Sequence, residues 1–204
     1  MLQQGFAATS VDQICVEASL TKGSFFHHFP SKEAVGLEAM ADFAQRGMEL
    51  YAAASAEVAE PLSQLHRLFE IMAELAREHG ERLSCMVGML SQELGATNPT
   101  LREACAGHMN AWVGMVAGML ARAKQARKPA IDFEPEAVAW MLYGIWQGSM
   151  LIGKTRSAPE LVASNLRQGR AYVDLLFGSR PDAGSGRAAR RAPKRGDARR
   201  RTRD

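Results

Sequence analysis

The chain has 204 residues, of which 47% are hydrophobic and 23% are charged, and this composition is typical of a soluble globular protein. The net charge of +3 is unevenly distributed, because residues 179–204 alone carry +7 and residues 1–178 carry −4. We expect no secretory signal and no membrane segment, since no uninterrupted apolar run approaches the about 20 residues that a spanning helix needs.

The three cysteines, Cys15, Cys85 and Cys105, are an odd number without CxxC spacing, which favours the reducing cytoplasm over a disulfide framework. The five histidines lack metal-ligand spacing such as His-Glu-x-x-His, and no phosphate loop or dinucleotide fingerprint is found in the sequence. A Ser-x-x-Lys match at residues 19–22 lacks the companion motifs of penicillin-interactive enzymes. We therefore expect a cytoplasmic protein that is not an enzyme and has no catalytic residues, metal or cofactor.

Residues 9–32 predict two short helices joined by a tight turn. Ser10 is suited to cap the first helix, and Thr21 the second. Leu20 is expected to be the apolar plug of the corner between them. Gly23, near the start of the second helix, leaves room for close approach to a phosphate backbone.

After Pro30 the apolar residues recur at helical spacing, and no stretch alternates as a half-buried strand would. Prolines and glycines divide this part of the chain into segments of helical length, so the sequence predicts an all-α fold. Residues 179–204 consist mostly of Gly, Ala, Arg and Ser without a large apolar residue. They predict a basic, disordered tail.

The stretch GFAATSVDQICVEASLTKGSFFHHFPSKEAVGLEAM, residues 5–40, resembles the DNA-binding domain of the TetR/AcrR family of transcriptional regulators. The resemblance implies a helix-turn-helix domain in residues 1–45 and an effector-binding and dimerisation domain in residues 46–178, followed by the tail. The implied function is that of a sequence-specific repressor with three partners: operator DNA, a second copy of the chain and a small-molecule effector that releases the DNA. The DNA-binding residues that it implies are Thr9, Ser10, Thr21, Lys22, Gly23, Ser24, Phe26, His27 and Lys32, the last of these as a phosphate contact.

The stretch departs from the family pattern in three places. Ser19 replaces the usual turn glycine, and Phe26 replaces a tyrosine whose hydroxyl would bind phosphate. Only four residues precede Gly5, so the first helix of the family is expected to be truncated here. Residues 1–45 also hold two lysines against five acidic residues, although phosphate neutralisation usually dominates affinity for DNA.

Two further stretches, SCMVGMLSQELGATNPTLREA and LYGIWQGSMLIGKTRSAPELVASNL, resemble the electrophile-responsive subgroup of this family, that of the N-ethylmaleimide reductase repressor. The resemblance implies that Cys85 senses electrophiles or oxidants and that Lys154 lies near it. A nearby ammonium favours the nucleophilic thiolate, and modification of the thiol adds bulk to a packed helical domain. Cys85 is explained equally well as a small buried hydrophobe beside Met86.

Two alternatives to a redox-responsive repressor stay open. A regulator of the same family with a reversible apolar ligand needs no redox chemistry, and a non-specific nucleic-acid-binding protein would depend on the basic tail. The family resemblance also places the dimer interface on residues 134–155 and 159–177, around Trp146 and Tyr172.

Overall fold

The computed structural model describes residues 1, 2 and 4–178, and in this part of the chain it contains α-helices, one short 3-10 turn (Gly80–Arg82) and no strand. The prediction of an all-α fold is confirmed. The predicted tail, residues 179–204, lies outside the described residues. The helices are α1 (Val11–Glu17), α2 (Lys22–His28), α3 (Lys32–Ala56), α4 (Pro61–His79), α5 (Met86–Leu94), α6 (Pro99–Ala126), α7 (Pro135–Thr155) and α8 (Glu160–Leu176).

The first three helices each begin at a hydroxyl side chain that accepts a hydrogen bond from a backbone N–H three residues on. The distances from these N–H groups to Ser10, Thr21 and Ser31 are 3.2, 3.1 and 3.2 Å. At α1 the side chain of Gln13 also accepts from the N–H of Ser10 at 2.9 Å, which completes a capping box. The predicted caps at Ser10 and Thr21 are thus confirmed.

The main core lies between α4, α6, α7 and α8. Leu68, Leu120 and Ala139 are among its most buried side chains, each at most 1% exposed. The Nε2 atom of His66 lies 2.7 Å from the Oδ1 atom of buried Asp174 and links α4 to α8. No helix in the described residues is both long and apolar enough to cross a membrane.

A second, smaller core joins the N-terminal region to the rest of the chain. Phe6 lies in it with Met40 of α3, Leu90 of α5, and Leu101 and Cys105 of α6. Because α3 runs from Lys32 to Ala56 without a break, it passes through residue 45, the predicted domain boundary. The N-terminal helices and the helical body therefore share one continuous helix.

One expected placement, that of Leu20, is wrong. Leu20 is 48% exposed, whereas Phe25 of α2 is 2% exposed, with its ring next to those of Phe26 and Phe29. The turn needs no plug at Leu20, because the N–H of Leu20 donates to the carbonyl oxygen of Cys15 at 2.8 Å and closes it. The dimer interface expected on α7 and α8 stays a prediction, and of the two residues named for it Trp146 is 7% exposed, in the main core, and Tyr172 is 41% exposed.

Candidate nucleic-acid interface and effector site

The turn between α1 and α2 depends on Ser19, which has a φ of 55°. This left-handed conformation favours glycine, and it falls where the TetR/AcrR pattern has one. The N–H of Ser19 donates to the carbonyl oxygen of Val16 at 3.1 Å. The serine therefore adopts the turn that the family makes with glycine.

The outward face of α2 contains most of the residues that the resemblance assigned to DNA. Exposed residues on this helix and its cap are Thr21, Lys22, Gly23, Phe26, His27 and His28, and Ser24 is partly buried. Phe26 is 54% exposed, which is unusual for an aromatic side chain, so packing within the protomer does not explain why a phenylalanine stands at this position. His28 was not among the predicted residues, and its ring lies 5.0 Å from that of His27.

Lys22 forms an ion pair with Asp12 of α1, at 2.7 Å between Nζ and Oδ1. Both side chains are about two-thirds exposed, at 60% and 64%. The hydrogen bond and charge of Asp12 raise the pKa of Lys22. A phosphate that binds Lys22 must compete with this carboxylate, which the sequence prediction did not include.

The glycines of this region differ in what their own fold requires. A Cβ added to Gly23 would meet only the Oγ1 atom of Thr21, at 3.8 Å, which is an ordinary contact. A Cβ added to Gly36 would lie 2.8 Å from the buried ring of Phe6. Packing therefore requires a glycine at position 36 and does not require one at position 23.

Residues 5–9, here called the leading segment, connect the chain start to α1 and are held by α3. Thr9 is buried, and its hydroxyl donates to the carbonyl oxygen of Gly5 at 2.6 Å. The ammonium of Lys32 lies 2.9 Å from the carbonyl oxygens of Phe6 and of Thr9. It also lies 4.4 Å from the centre of the Phe6 ring. Lys32 is therefore bound within the protein, in contacts that differ from the phosphate contact implied by the resemblance.

Glu93 of α5 holds the same segment from the other side. Its two carboxylate oxygens accept from the N–H groups of Phe6 and Ala7 at 3.0 and 2.7 Å. Sequence reasoning did not assign Glu93 a role, although it lies in the LSQE stretch that carries the subgroup resemblance. No local sequence pattern predicts the contact of Glu93 with the leading segment, because Phe6 and Ala7 are more than 80 positions away in the chain.

A large open cavity, about 1270 Å³ in volume, lies between the N-terminal helices and the helical body. Its walls include Ile14 of α1, Tyr51 of α3, Trp112 of α6 and Tyr143 of α7. Burial raises the pKa of Tyr51 to about 12 and also raises the pKa of Tyr143. Both phenols are thus neutral hydroxyls near pH 7, and the buried indole Nε1 of Trp112 has no hydrogen-bond partner among the described residues.

Cys85 lies directly before α5 and lines both this cavity and a neighbouring one of about 150 Å³. Lys154 lines the small cavity too, so the structure brings the two predicted sensor residues to one site. The polar contact of the thiol is with Gln147, whose Nε2 lies 3.3 Å from the sulfur. Cys85 is partly exposed, whereas Cys15 and Cys105 are buried.

Comparison with protein families gives two matches along the chain. Residues 1–39 match the model for bacterial regulatory proteins of the tetR family. Residues 61–168 match the model for the tetracyclin repressor-like C-terminal domain. Together they cover the candidate nucleic-acid interface and part of the wall of the large cavity, whereas Tyr51 and most of the wall from α3 lie between the two matches.

Known proteins agree with these matches. The transcriptional regulator AcuR of Cereibacter sphaeroides is 33% identical over 185 residues, which cover 85% of this chain and 80% of AcuR. The repressor DhaR of Mycobacterium sp. strain GP1 is 26% identical over 152 residues, or 74% of each chain. The repressor NemR of Escherichia coli K12 is 25% identical over 157 residues, which cover 75% of this chain and 77% of NemR.

Solved structures have the same fold. A regulatory protein TetR from Rhodobacter sphaeroides superposes with a TM-score of 0.76 at 28% identity, over 84% of this chain and 91% of that one. The reduced form of E. coli NemR superposes with a TM-score of 0.72 at 22% identity, over 82% and 88% of the two chains. With both family matches and a relative at 33% identity, this chain belongs to the TetR family: it is a DNA-binding transcriptional repressor and not an enzyme.

Proposed function

We propose that the outward face of α2 reads the operator, and that a reactive electrophile or oxidant releases the DNA by modifying Cys85. The observation that carries the second part is the position of the thiol. Cys85 is the one partly exposed cysteine of three, and it lies on the wall that the two cavities share. Members of the family in general bind operator DNA and small molecules, so a thiol beside the large cavity is a suitable site for an effector that releases the DNA.

For the DNA contact, Gly23 supplies the sharpest argument. Packing does not require a glycine at position 23. We infer that the glycine lets the backbone of α2 approach a DNA phosphate closely. Lys22, Phe26 and His27 then lie on the exposed side of the helix, where side chains reach phosphates and base edges.

The test is Gly23→Ala with Gly36→Ala as its control. Gly23→Ala is expected to keep its thermal stability and to weaken binding to a duplex selected from a random library by about tenfold. Gly36→Ala is expected to lose about 1–3 kcal/mol of stability, because its methyl group collides with Phe6. A Gly23→Ala variant that binds the selected duplex as well as the parent does would contradict the proposed DNA contact.

Removal of residues 179–204 separates a sequence-specific regulator from a non-specific nucleic-acid-binding protein. The shortened chain is expected to keep its preference for the selected duplex over a scrambled one. Loss of that preference would favour the non-specific alternative.

For release, the thiolate of Cys85 adds to an activated carbon–carbon double bond. A bond forms between its sulfur and one alkene carbon, and the other alkene carbon takes up the proton that the thiol lost. The added group enlarges the side chain at the start of α5, beside Gln147. Because the sulfur is already in contact with Gln147 of α7 at 3.3 Å, the added group displaces this side chain and with it the contact between Cys85 and α7.

N-ethylmaleimide is the probe for this step. Mass spectrometry after limiting alkylation is expected to find Cys85 labelled before Cys15 and Cys105. Loss of duplex binding should disappear in Cys85→Ser and persist in Cys15→Ser and Cys105→Ser. If Cys85→Ser still releases the duplex on treatment, the sensor role of Cys85 is wrong.

A reversible ligand is the second candidate effector, and the large cavity is the observation that favours it. Tyr51, Trp112, Tyr143 and Trp146 give it aromatic walls, which suit an apolar molecule. Such a ligand would release DNA from Cys85→Ser and from the parent at the same concentration.

We also propose that the repressor is a dimer through α7 and α8. The two helices, which pack against each other, expose large apolar side chains that are 37–53% exposed, namely Trp140, Met141, Leu151, Ile152, Tyr172 and Leu175. Several exposed large apolar side chains on two neighbouring helices are a common mark of a subunit interface. Sedimentation equilibrium at micromolar concentration should give twice the mass of the chain, and a stable monomer would contradict the proposal.

A further inference from the structure

Glu93 joins two parts of the protein that are distant in sequence. It lies in the last turn of α5, which spans Met86–Leu94. Its carboxylate accepts from two successive N–H groups of the leading segment, those of Phe6 and Ala7. The two oxygens of a carboxylate suit two neighbouring donors, so both N–H groups are satisfied by one side chain.

The leading segment is shaped to receive this carboxylate. Gly5 has a φ of 91°, and a Cβ on it would lie 2.6 Å from the Oε1 atom of Glu93. On the opposite side Lys32 donates to the carbonyl oxygens of Phe6 and Thr9. The segment is thus held by an anion at its N–H groups and a cation at its carbonyl groups, directly before the cap of α1.

The other end of α5 lies at the candidate sensor. Cys85 immediately precedes the helix, and the small cavity that it lines is also lined by Glu93. Nine helical residues span about 13 Å, short enough to move as one body. A Cβ on Gly88 would overlap the side-chain oxygen of Gln147, so the first turn of α5 is in close contact with α7.

We propose that Glu93 is the positioning residue through which α5 holds the leading segment, and that a change at Cys85 reaches the DNA-reading helices by moving this carboxylate. The second half of the inference rests on the proposed sensor role of Cys85. Bulk added at Cys85 shifts α5 away from α7. The shift withdraws the carboxylate from the N–H groups of Phe6 and Ala7, and the segment that sets the start of α1 loses its anchor.

The experiment uses the full chain, N-ethylmaleimide as the modifying probe, and a duplex selected from a random library with the unmodified protein. Amide hydrogen exchange at Phe6 and Ala7 is measured by NMR, and duplex affinity by fluorescence anisotropy. The variants are Glu93→Ala, the conservative Glu93→Gln, and Gln92→Ala as the matched control. Gln92 is the exposed neighbour of Glu93 and lines the same small cavity.

In the parent, alkylation is expected to speed exchange at both N–H groups about tenfold and to weaken duplex binding. Glu93→Ala should show the faster exchange and the weaker binding before treatment, with little further change afterwards. Glu93→Gln, which keeps one acceptor oxygen, should fall between Glu93→Ala and the parent. Gln92→Ala should behave as the parent does in both measurements.

The inference is overturned if alkylation weakens duplex binding of Glu93→Ala by the same factor as that of the parent, and this result would leave the sensor role of Cys85 intact. It is also overturned if the N–H groups of Phe6 and Ala7 exchange equally slowly in Glu93→Ala and in the parent. A parent whose duplex binding ignores alkylation would instead refute the sensor and, with it, the transmission from Cys85.

Discussion

Replacement of Lys32 by methionine separates two roles for this residue. Methionine keeps the unbranched apolar stem, so the change removes the ammonium and little else. The ammonium makes two hydrogen bonds of 2.9 Å to backbone carbonyl oxygens and lies over the ring of Phe6. If the role of Lys32 is to make these internal contacts, Lys32→Met lowers the unfolding free energy of the protein.

The expected loss of unfolding free energy is about 2–3 kcal/mol. A hydrogen bond that involves a charged group contributes about 1.5–3 kcal/mol, and a cation–π contact about 0.5–1 kcal/mol. The expected loss is smaller than the sum of these contributions, because Lys32 is partly exposed and water can replace some of its hydrogen bonds in the variant. Urea denaturation followed by circular dichroism measures the change directly.

The salt dependence of duplex binding distinguishes this role from a phosphate contact. A lysine that neutralises a phosphate contributes about one unit to the slope of log affinity against log salt. Lys32→Met is therefore expected to leave the slope unchanged, while Lys22→Met, on the exposed face of α2, should lower it by about one per protomer. A Lys32→Met variant with full stability and a lowered slope would refute the internal role and support the phosphate contact.

Three further results follow from features of the fold. Gly148→Leu should weaken dimerisation, measured by sedimentation, without destabilising the protomer, since a Cβ there has no neighbour within 4 Å in the single chain. Ser19→Gly should raise the unfolding free energy by about 1 kcal/mol, measured in urea, because glycine adopts the φ of 55° without strain. Burial raises the pKa of Tyr51 from 10.0 to about 12, so its contribution to stability is complete below the lower value and is lost as the pH rises through the higher one. Tyr51→Phe should therefore lose less stability than the parent between about pH 9 and 12, and an equal loss in both would contradict the assignment.

The parts of the fold that were predictable from the sequence are those that local chemistry decides. Ser10 and Thr21 were expected to cap α1 and α2, and they do, because a cap needs only a hydroxyl three residues before an unpaired N–H group. The meeting of Cys85 and Lys154 at one cavity was implied by the family resemblance, not by spacing, since 68 intervening positions separate them.

The contacts that sequence reasoning missed are between distant elements. The dimer interface was predicted on the helices around Trp146 and Tyr172, but α7 is apolar on nearly every side, and periodicity does not then show that Trp146 is the side chain that the protomer buries. Lys32 matched the family pattern of a phosphate-binding lysine. Its hydrogen bonds to the leading segment were not predictable, because they depend on how that segment lies against the start of α3. Glu93 has its partners near the other end of the chain, where no local pattern leads to them.

The unbroken course of α3 allows a small tilt at the cavity to become a larger displacement at the DNA-binding helices. Its 25 residues extend for about 37 Å, with Lys32 at one end and Tyr51, on the wall of the large cavity, near the other. A rod of this length that pivots by about 5° at the cavity displaces its far end by about 3 Å, close to the rise of one base pair. A tilt of this size moves the start of α3, and the helix-turn-helix before it, by about the rise of one base pair, and it requires neither unfolding nor bending of α3.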